Sequence, residues 1–458
     1  MTIKHSIVTD TDSYKFSQYN QYPEGTTHVY SYVESRGGTW KQTVFFGLQI
    51  FLKEYLSKRI TQEDIDTAEL IVTAHREPFN RQGWEYILRE HDGKLPLRIK
   101  AVPEGSVIPV KNVLATVENT DPNCAWLTSY IETALLRAIW YPTTVCTNSY
   151  ESKRIINHYL EKSGDTSLID FKLHDFGARG VSSFESAGIG GLAHLVNFKG
   201  TDTVTSLLYG KEYYNIDMAG FSIPAMEHST VTSWGKDHEV DSYRNMVKLY
   251  GKPGALFACV SDSYNIYDAC RKWGTVLKDD VINSGATLVV RPDSGYPPEV
   301  VAECLKILDT YYGHTVNEKG YKVLNNVRII QGDGITQDTI DRILYRATTA
   351  GYSADNIAFG QGGKLLQGVD RDTQKFAMKC SSIRVNGIDR DVFKSPITDM
   401  GKESKKGRVT LYQNDEGYFT DIEGRTDATE VLEVVFENGK IVKEYDFDEV
   451  RKNASVIV

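Results

Sequence analysis

Cysteine, long apolar runs and excess positive charge are all scarce in this chain of 458 residues. The six cysteines (124, 146, 259, 270, 304 and 380) stand far apart with no CxxC pair. That spacing argues against a disulfide framework and predicts buried free thiols in a reducing cytoplasm. No run of 18 apolar residues occurs, so no membrane span is expected. The first residues, Met1-Thr-Ile-Lys-His-Ser-Ile-Val, lack the apolar core of a signal peptide, and a cytoplasmic location is expected. Lys and Arg number 52 against 61 Asp and Glu, a net charge of -9. Nucleic-acid binding therefore has no global electrostatic support, although a local basic patch still suits phosphates.

Several motifs are missing as well. There is no HExxH, and His228 has no partner cluster, so no zinc site made by protein ligands alone is expected. There is no GxxxxGK[ST], so any ATP is held without a P-loop. Gly188-Ile-Gly190-Gly-Leu-Ala193 matches the dinucleotide fingerprint formally, but no strand leads into it. These glycines read as positions of close helix packing.

What is present is a sevenfold pattern. Between residues 171 and 363, short apolar runs end in polar or glycine-rich turns, mostly followed by helix-like stretches. They close on His174-Asp175-Phe176, Lys199-Gly-Thr-Asp202, Glu227-His228, Asp262, Arg291-Pro-Asp293, Gly332-Asp-Gly334 and Gly360-Gln-Gly-Gly363. Parallel strands of a (β/α) barrel deliver side chains in this way, from their C-terminal ends. An eighth run, 376–381, is expected to close the ring. The flanks differ. A strand is expected at 27–34, helices at 45–92, a β-meander at 95–120 and two helices near 123–140 and 144–162. Beyond residue 385 come two hairpin signals, Asn414-Asp-Glu-Gly417 and Asn438-Gly439. The expected fold is α/β: an irregular barrel at 164–385, with parts 1–163 and 386–458 sharing one mixed α+β domain.

The strand ends supply Asp175, Asp202, His228, Asp262, Arg291, Asp293 and Asp333, a mixed-charge site with one histidine. Carboxylates of this kind hold Mg²⁺ together with substrate phosphates. Gly332, Gly362 and Gly363 offer backbone N–H groups where barrels commonly bind phosphate, and Arg371 falls close by. Other basic residues, Lys379, Lys394, Lys402, Lys405, Lys406 and Arg408, gather in the last third; a solvated face is the plainer explanation of each alone. Phe176 and Tyr14 suit a flat ring, each stack contributing about 0.5–1.5 kcal/mol, or else fill core. A phosphorylated ribose and a small uncharged partner are the expected ligands.

The motifs Thr11-Asp-Ser-Tyr-Lys15, Val29-Tyr-Ser-Tyr-Val-Glu-Ser-Arg36, Leu173-His-Asp-Phe-Gly-Ala-Arg-Gly180, Asn197-Phe-Lys-Gly-Thr-Asp202, Glu227-His-Ser-Thr230, Arg291-Pro-Asp-Ser-Gly295, Ile330-Gln-Gly-Asp-Gly334 and Ser404-Lys-Lys-Gly-Arg408 carry a resemblance. From residue 9 to about 454 the chain resembles the nicotinamide phosphoribosyltransferases, within the type II phosphoribosyltransferases. The resemblance implies that nicotinamide and 5-phosphoribosyl 1-pyrophosphate give nicotinamide mononucleotide and pyrophosphate. It implies that Phe176 and the partner subunit's Tyr14 stack the pyridine, that Asp202 accepts the carboxamide N–H, and that Arg291 lies along the ring. Asp293, Gly332, Asp333, Gly362, Gly363 and Arg371 would hold the ribose and its phosphate. Arg179, Arg328, Lys379, Lys394, Lys402 and the partner's Arg36 would line the pyrophosphate and ATP positions. His228 would be phosphorylated by ATP, oriented by Asp262, with Mg²⁺ carried by the substrate phosphates. An obligate homodimer with shared sites is implied. Helix capping is the alternative role for Asp202, and structural packing for His228. A nicotinate enzyme and a non-catalytic binding protein are the alternatives for the whole.

Overall fold

The computed structural model describes residues 5–398 and 403–455; Lys402 lies outside them. Six parallel strands form one sheet in the order Gly200–Thr201, Leu173–Asp175, Ile357–Gln361, Val327–Gln331, Thr287–Arg291 and Leu256–Val260. Its two edges are joined by residues 221–225, through parallel bridges Gly200↔Phe221 and Ala225↔Ala258. Seven segments thus make an irregular ring, and they are the seven runs of the sequence pattern.

Period-two alternation decides what each strand buries. Ala258, Val289 and Ile330 face inward with Ile223, Ala358 and Phe176. Cys259, Leu288, Val290, Ile329 and Phe359 face the helical layer outside. At about 25 cal/mol per Å² of apolar surface, this outer layer holds the ring together. In that layer, an alanine Cβ at Gly188 would stand 2.5 Å from the Tyr209 ring, and one at Gly191 would stand 2.8 Å from Ser206. The glycines of helix Phe184–Leu195 therefore serve close approach to helix Val204–Tyr214, as expected.

The eighth run does not join the ring. It forms part of strand Phe376–Val385, which pairs antiparallel with Thr26–Ser35, Lys379 opposite Tyr32. Residues 221–225 already occupy the gap, and the run's mixed burial suits a sheet with two unlike faces. The barrel consequently ends before residue 376 rather than at 385. The mixed sheet has the order Ile388–Asp391, Phe376–Val385, Thr26–Ser35, Val113–Asn119, Leu97–Ala101, Glu433–Glu437, Lys440–Ile441. The N- and C-terminal parts share it, as expected. Asn438 and Gly439 both take positive φ (51° and 76°), as a two-residue type I′ turn requires. The meander is interrupted: Val107–Pro109 pairs with Gln42–Val44 instead of its sequence neighbours.

One helix, Glu132–Ser163, replaces the two expected, and Pro142 lies inside it. Proline removes one helical N–H, but here its ring packs on Gly47, where a Cβ would approach to 2.5 Å. Thr143 and Thr147 accept the backbone N–H groups of Phe46 and Val44, tying this turn to the mixed domain. The same helix packs on barrel helices Phe184–Leu195 and Gln337–Thr349.

Candidate active site

Three polar pairs stand at the C-terminal rim of the ring. His228 Nε2 lies 2.9 Å from Asp262 Oδ1, and the other Asp262 oxygen accepts from Ser294 Oγ at 2.5 Å. The Asp262 side chain is 5% exposed and that of His228 47%. A buried carboxylate thus holds one ring nitrogen of an accessible imidazole. Arg291 donates from Nη2 to Asp293 at 2.9 Å, and its guanidinium stands 5.1 Å from the centre of the Phe176 ring. Its buried Nε has no acceptor among the described residues. Gly332 admits this pair: a Cβ there would stand 3.1 Å from both Arg291 Nε and Asp293 Oδ1.

The third pair is His174 with Asp202, Nε2 to Oδ1 at 2.8 Å. Ser222 Oγ donates to the same oxygen at 2.7 Å. Burial alone would raise the Asp202 pKa. The hydrogen bonds from His174 and Ser222 and the charges of His174 and Arg291 outweigh it, so the carboxyl lies below its ordinary value. Asp202 does not cap the following helix; Thr203 occupies that position. Phe176 closes the floor beside the pair, where a Cβ on Gly360 would fall 1.9 Å from its ring. Glycine is the residue that leaves room for this aromatic side chain.

Two expected members sit elsewhere. Asp175 is fully buried on the opposite face of its strand, where its Oδ1 accepts the Gly177 N–H. Burial raises its pKa, so it belongs to the strand–helix layer. Arg328 stands at the start of its strand and donates to the carbonyls of Leu324 and Val327. It lies at the floor of the ring, beside buried Lys172, away from the rim. Burial lowers the pKa of Arg328. Its place at the first rather than the last residues of a strand was the available signal.

Arg179 is exposed beside the glycine turn, since a Cβ on Gly180 would meet Gly363 Cα at 2.7 Å. Gly362 precedes the short helix Gly363–Leu366. Asp333 is exposed at the rim, and its carbonyl accepts from Gln331. Arg371 is exposed, paired with Asp372 at 3.1 Å, just before the mixed-sheet strand.

A second cluster forms on the mixed sheet. Lys379 feels Arg36, Lys394 and Lys15; burial first and these like charges next depress its pKa, against a favourable Glu132. Lys15 is buried and bonded to Glu132 at 2.6 Å. Buried Glu34 receives Arg36 at 3.1 Å and Lys405. Arg36 Nη2 is buried with no acceptor among the described residues. Tyr14 is 56% exposed. His174, Ser222, Ser294 and Lys15 were absent from the expected site. His174 was visible, sharing strand parity with Phe176; Ser222 and Ser294 stand in loops without periodicity. Among the described residues, His91, Asp121 and Cys124 have donor atoms close enough together for a metal. They lie in the mixed domain, where both Asp121 oxygens already accept hydrogen bonds.

The nicotinate phosphoribosyltransferase family model matches residues 171–440, and that of the nicotinamide phosphoribosyltransferase N-terminal domain matches residues 6–99. A nicotinamide phosphoribosyltransferase of Xanthomonas campestris is 53% identical over 98% of each chain. One of Acinetobacter baylyi is 33% identical over 99% of this chain and 97% of its own. Among solved structures, nicotinate-nucleotide pyrophosphorylase of Pyrococcus furiosus superposes with a TM-score of 0.64 at 14% identity, covering 100% of this chain and 99% of that one. Human nicotinic acid phosphoribosyltransferase does so with 0.54 at 14% identity, covering 97% and 93%. These two likenesses concern the fold.

Proposed function

Because the chain belongs to the nicotinate phosphoribosyltransferase family, we propose that it condenses nicotinamide with 5-phosphoribosyl 1-pyrophosphate in NAD salvage. The products are nicotinamide mononucleotide and pyrophosphate. The observation that carries the choice of base is Asp202, a carboxylate kept ionised by His174, whose ring stands 5.2 Å from that of Phe176. It welcomes an amide N–H and repels the carboxylate of nicotinic acid. Sites built on one specific hydrogen bond discriminate by about 10⁴–10⁵.

In the reaction the pyridine nitrogen attacks C1 of the ribose as the C1–O bond to pyrophosphate breaks. Positive charge develops on the sugar and negative charge on the leaving group, and preplaced cations stabilise the latter. Phe176 and Arg291 hold the ring; Asp293, Asp333 and the bare backbones of Gly332, Gly362 and Gly363 face the ribose phosphate. Mg²⁺ arriving with the phosphates would offset their charge, with the exposed Asp333 and the Asp293 carboxylate as the rim ligands in reach. Arg179, Arg371, Lys379, Lys394 and Lys402 supply the remaining positive charge.

His228 is the phosphate acceptor from ATP in this reading. Asp262 engages Nε2 as an N–H donor, which leaves Nδ1 its lone pair. Nδ1 would bond the γ-phosphorus while ADP leaves, and the imidazole charge is balanced by Asp262. We place Tyr14 and Arg36 against the rim of a second subunit in a homodimer, since exposed Tyr14 and the unpartnered Arg36 nitrogen both sit on the mixed sheet side. Among the described residues no helix is long and apolar enough to cross a membrane, and a cytoplasmic enzyme is the reading that suits the free thiols. The test is product formation from nicotinamide and from nicotinic acid, with and without ATP. Nicotinamide mononucleotide from the amide alone, increased by ATP, is expected. Preference for the acid would overturn the assignment and favour the nicotinate reaction.

A further inference from the structure

We propose that His174 is a positioning residue that fixes which oxygen of Asp202 meets the ring substituent, and so sets the preference for a neutral amide over a carboxylate. This rests on the reading of the site as a nicotinamide site.

Alternation along Leu173–Asp175 sends His174 to the same face as Phe176, while Asp175 goes into the outer layer. The two rings stand 5.2 Å apart, tilted by 56°. On the neighbouring strand Gly200 is the register partner of His174. A Cβ on Gly200 would lie 2.7 Å from His174 Nδ1 and 3.3 Å from Cγ. The imidazole therefore lies over bare backbone, and any other residue at 200 would push it off. Nδ1 lies against Gly200 with no acceptor for it among the described residues, and Nε2 is the nitrogen that presents its N–H to Asp202.

His174 Nε2 and Ser222 Oγ both donate to Oδ1. Their convergence fixes the rotation of a carboxylate whose side chain is otherwise 50% exposed. Oδ2 keeps its lone pairs for an incoming amide N–H. Without His174, one bond from Ser222 leaves the carboxylate free to turn toward solvent. Arg291, whose charge acts on Asp202, would then be free to meet the carboxylate of nicotinic acid.

Steady-state kinetics of the full-length enzyme, His174→Ala, His174→Gln and Asp202→Ala with both bases, at saturating phosphoribosyl pyrophosphate, test this. His174→Ala should raise KM for nicotinamide about tenfold, the effect of one lost hydrogen bond to a charged group, with kcat within about threefold. The ratio of kcat/KM for amide over acid should fall at least about tenfold. His174→Gln, whose amide N–H still donates, should recover most of that ratio. A purely structural role would lower kcat for both bases alike and leave the ratio unmoved. An unchanged ratio in His174→Ala, or a His174→Gln as unselective as the alanine variant, overturns the inference. If the unsubstituted enzyme itself fails to use nicotinamide, the proposed function falls instead. Thermal unfolding of each variant identifies one that does not fold, and the ratio is then read from His174→Gln against the unsubstituted enzyme.

Discussion

At the barrel rim charged side chains come in matched pairs: His228 with Asp262, His174 with Asp202, Arg291 with Asp293. On the mixed sheet Lys15, Arg36, Lys379, Lys394 and Lys405 gather around Glu34 and Glu132, the two carboxylates that pair with or act on them among the described residues. The three rim pairs thus largely neutralise one another before any ligand arrives, and their charges serve to orient. This corner of the sheet has more cations than carboxylates: Lys379 is depressed by burial and by the charges of Arg36, Lys394 and Lys15, against Glu132. A polyanion fills such a deficit. A neutral aromatic base suits the first region and a pyrophosphate the second.

If that division holds, losing a rim carboxylate should damage recognition of the base far more than the fold. Asp202→Ala is expected to lower kcat/KM for nicotinamide by about 10³-fold or more, with KM for the sugar donor changed less than about threefold. The melting temperature should move little, because the Asp202 side chain is half exposed. Equal losses for both substrates would erase the division. Mixing Tyr14→Ala with Asp202→Ala subunits, each inactive, should restore up to about a quarter of the activity if two subunits share each site, since half the dimers are mixed and each has one intact site. No recovery despite proven subunit exchange would place Tyr14 and Asp202 in the same subunit's site.

The sheet should break in the opposite sense. Lys379→Met is expected to raise KM for phosphoribosyl pyrophosphate about 10–100-fold and to leave that for nicotinamide nearly unchanged. Because burial and like charges disfavour the cation in the folded state, the variant should be at least as stable as the original. A lower melting temperature would mean that Lys379 is a structural partner rather than a cation held in waiting. At the rim again, His228→Ala should abolish stimulation by ATP while retaining basal synthesis. A phosphorylated protein persisting in that variant, seen as acid-labile label from ATP, would remove His228 from the role.

Most of this arrangement was legible in the sequence because it is carried by local periodicity. Seven apolar runs with polar ends became seven segments of one ring, and Asp202, Phe176, His228, Asp262 and Arg291 fell at their C-terminal ends as expected. The errors arose where tertiary context decided. Run 376–381 reads as an eighth barrel strand, yet the ring already closes on seven segments and the run pairs antiparallel with Thr26–Ser35. Two helices are expected near 123–140 and 144–162, but Gly47 gives the Pro142 ring a seat and one helix runs from Glu132 to Ser163. Asp175 was misjudged by one residue of alternation, and Arg328 by four residues of depth. In both cases the charge type was weighed ahead of strand parity and depth, which the strand bounds carry.

The last effect joins the two regions through stability. His194 is fully buried beneath the rim, with Nδ1 2.9 Å from Ser149 Oγ and Nε2 3.2 Å from the carbonyl of Gly200, the residue on which His174 lies. Burial, with smaller contributions from His174 and Lys153, pushes its pKa from 6.5 down to about 3. Between those two values the unfolded chain binds a proton that the folded chain refuses. Stability should therefore be complete above about pH 6.5 and decline by about 1.4 kcal/mol per pH unit below it, until about pH 3. His194→Gln removes this titration. Denaturant unfolding from pH 6.5 to 4.5 should give a steeper decline for the original chain than for the variant, whatever the offset between them. Parallel curves would mean that water or a local opening already accommodates the charge, and that the Gly200 strand beneath Asp202 is looser than its hydrogen bonds imply.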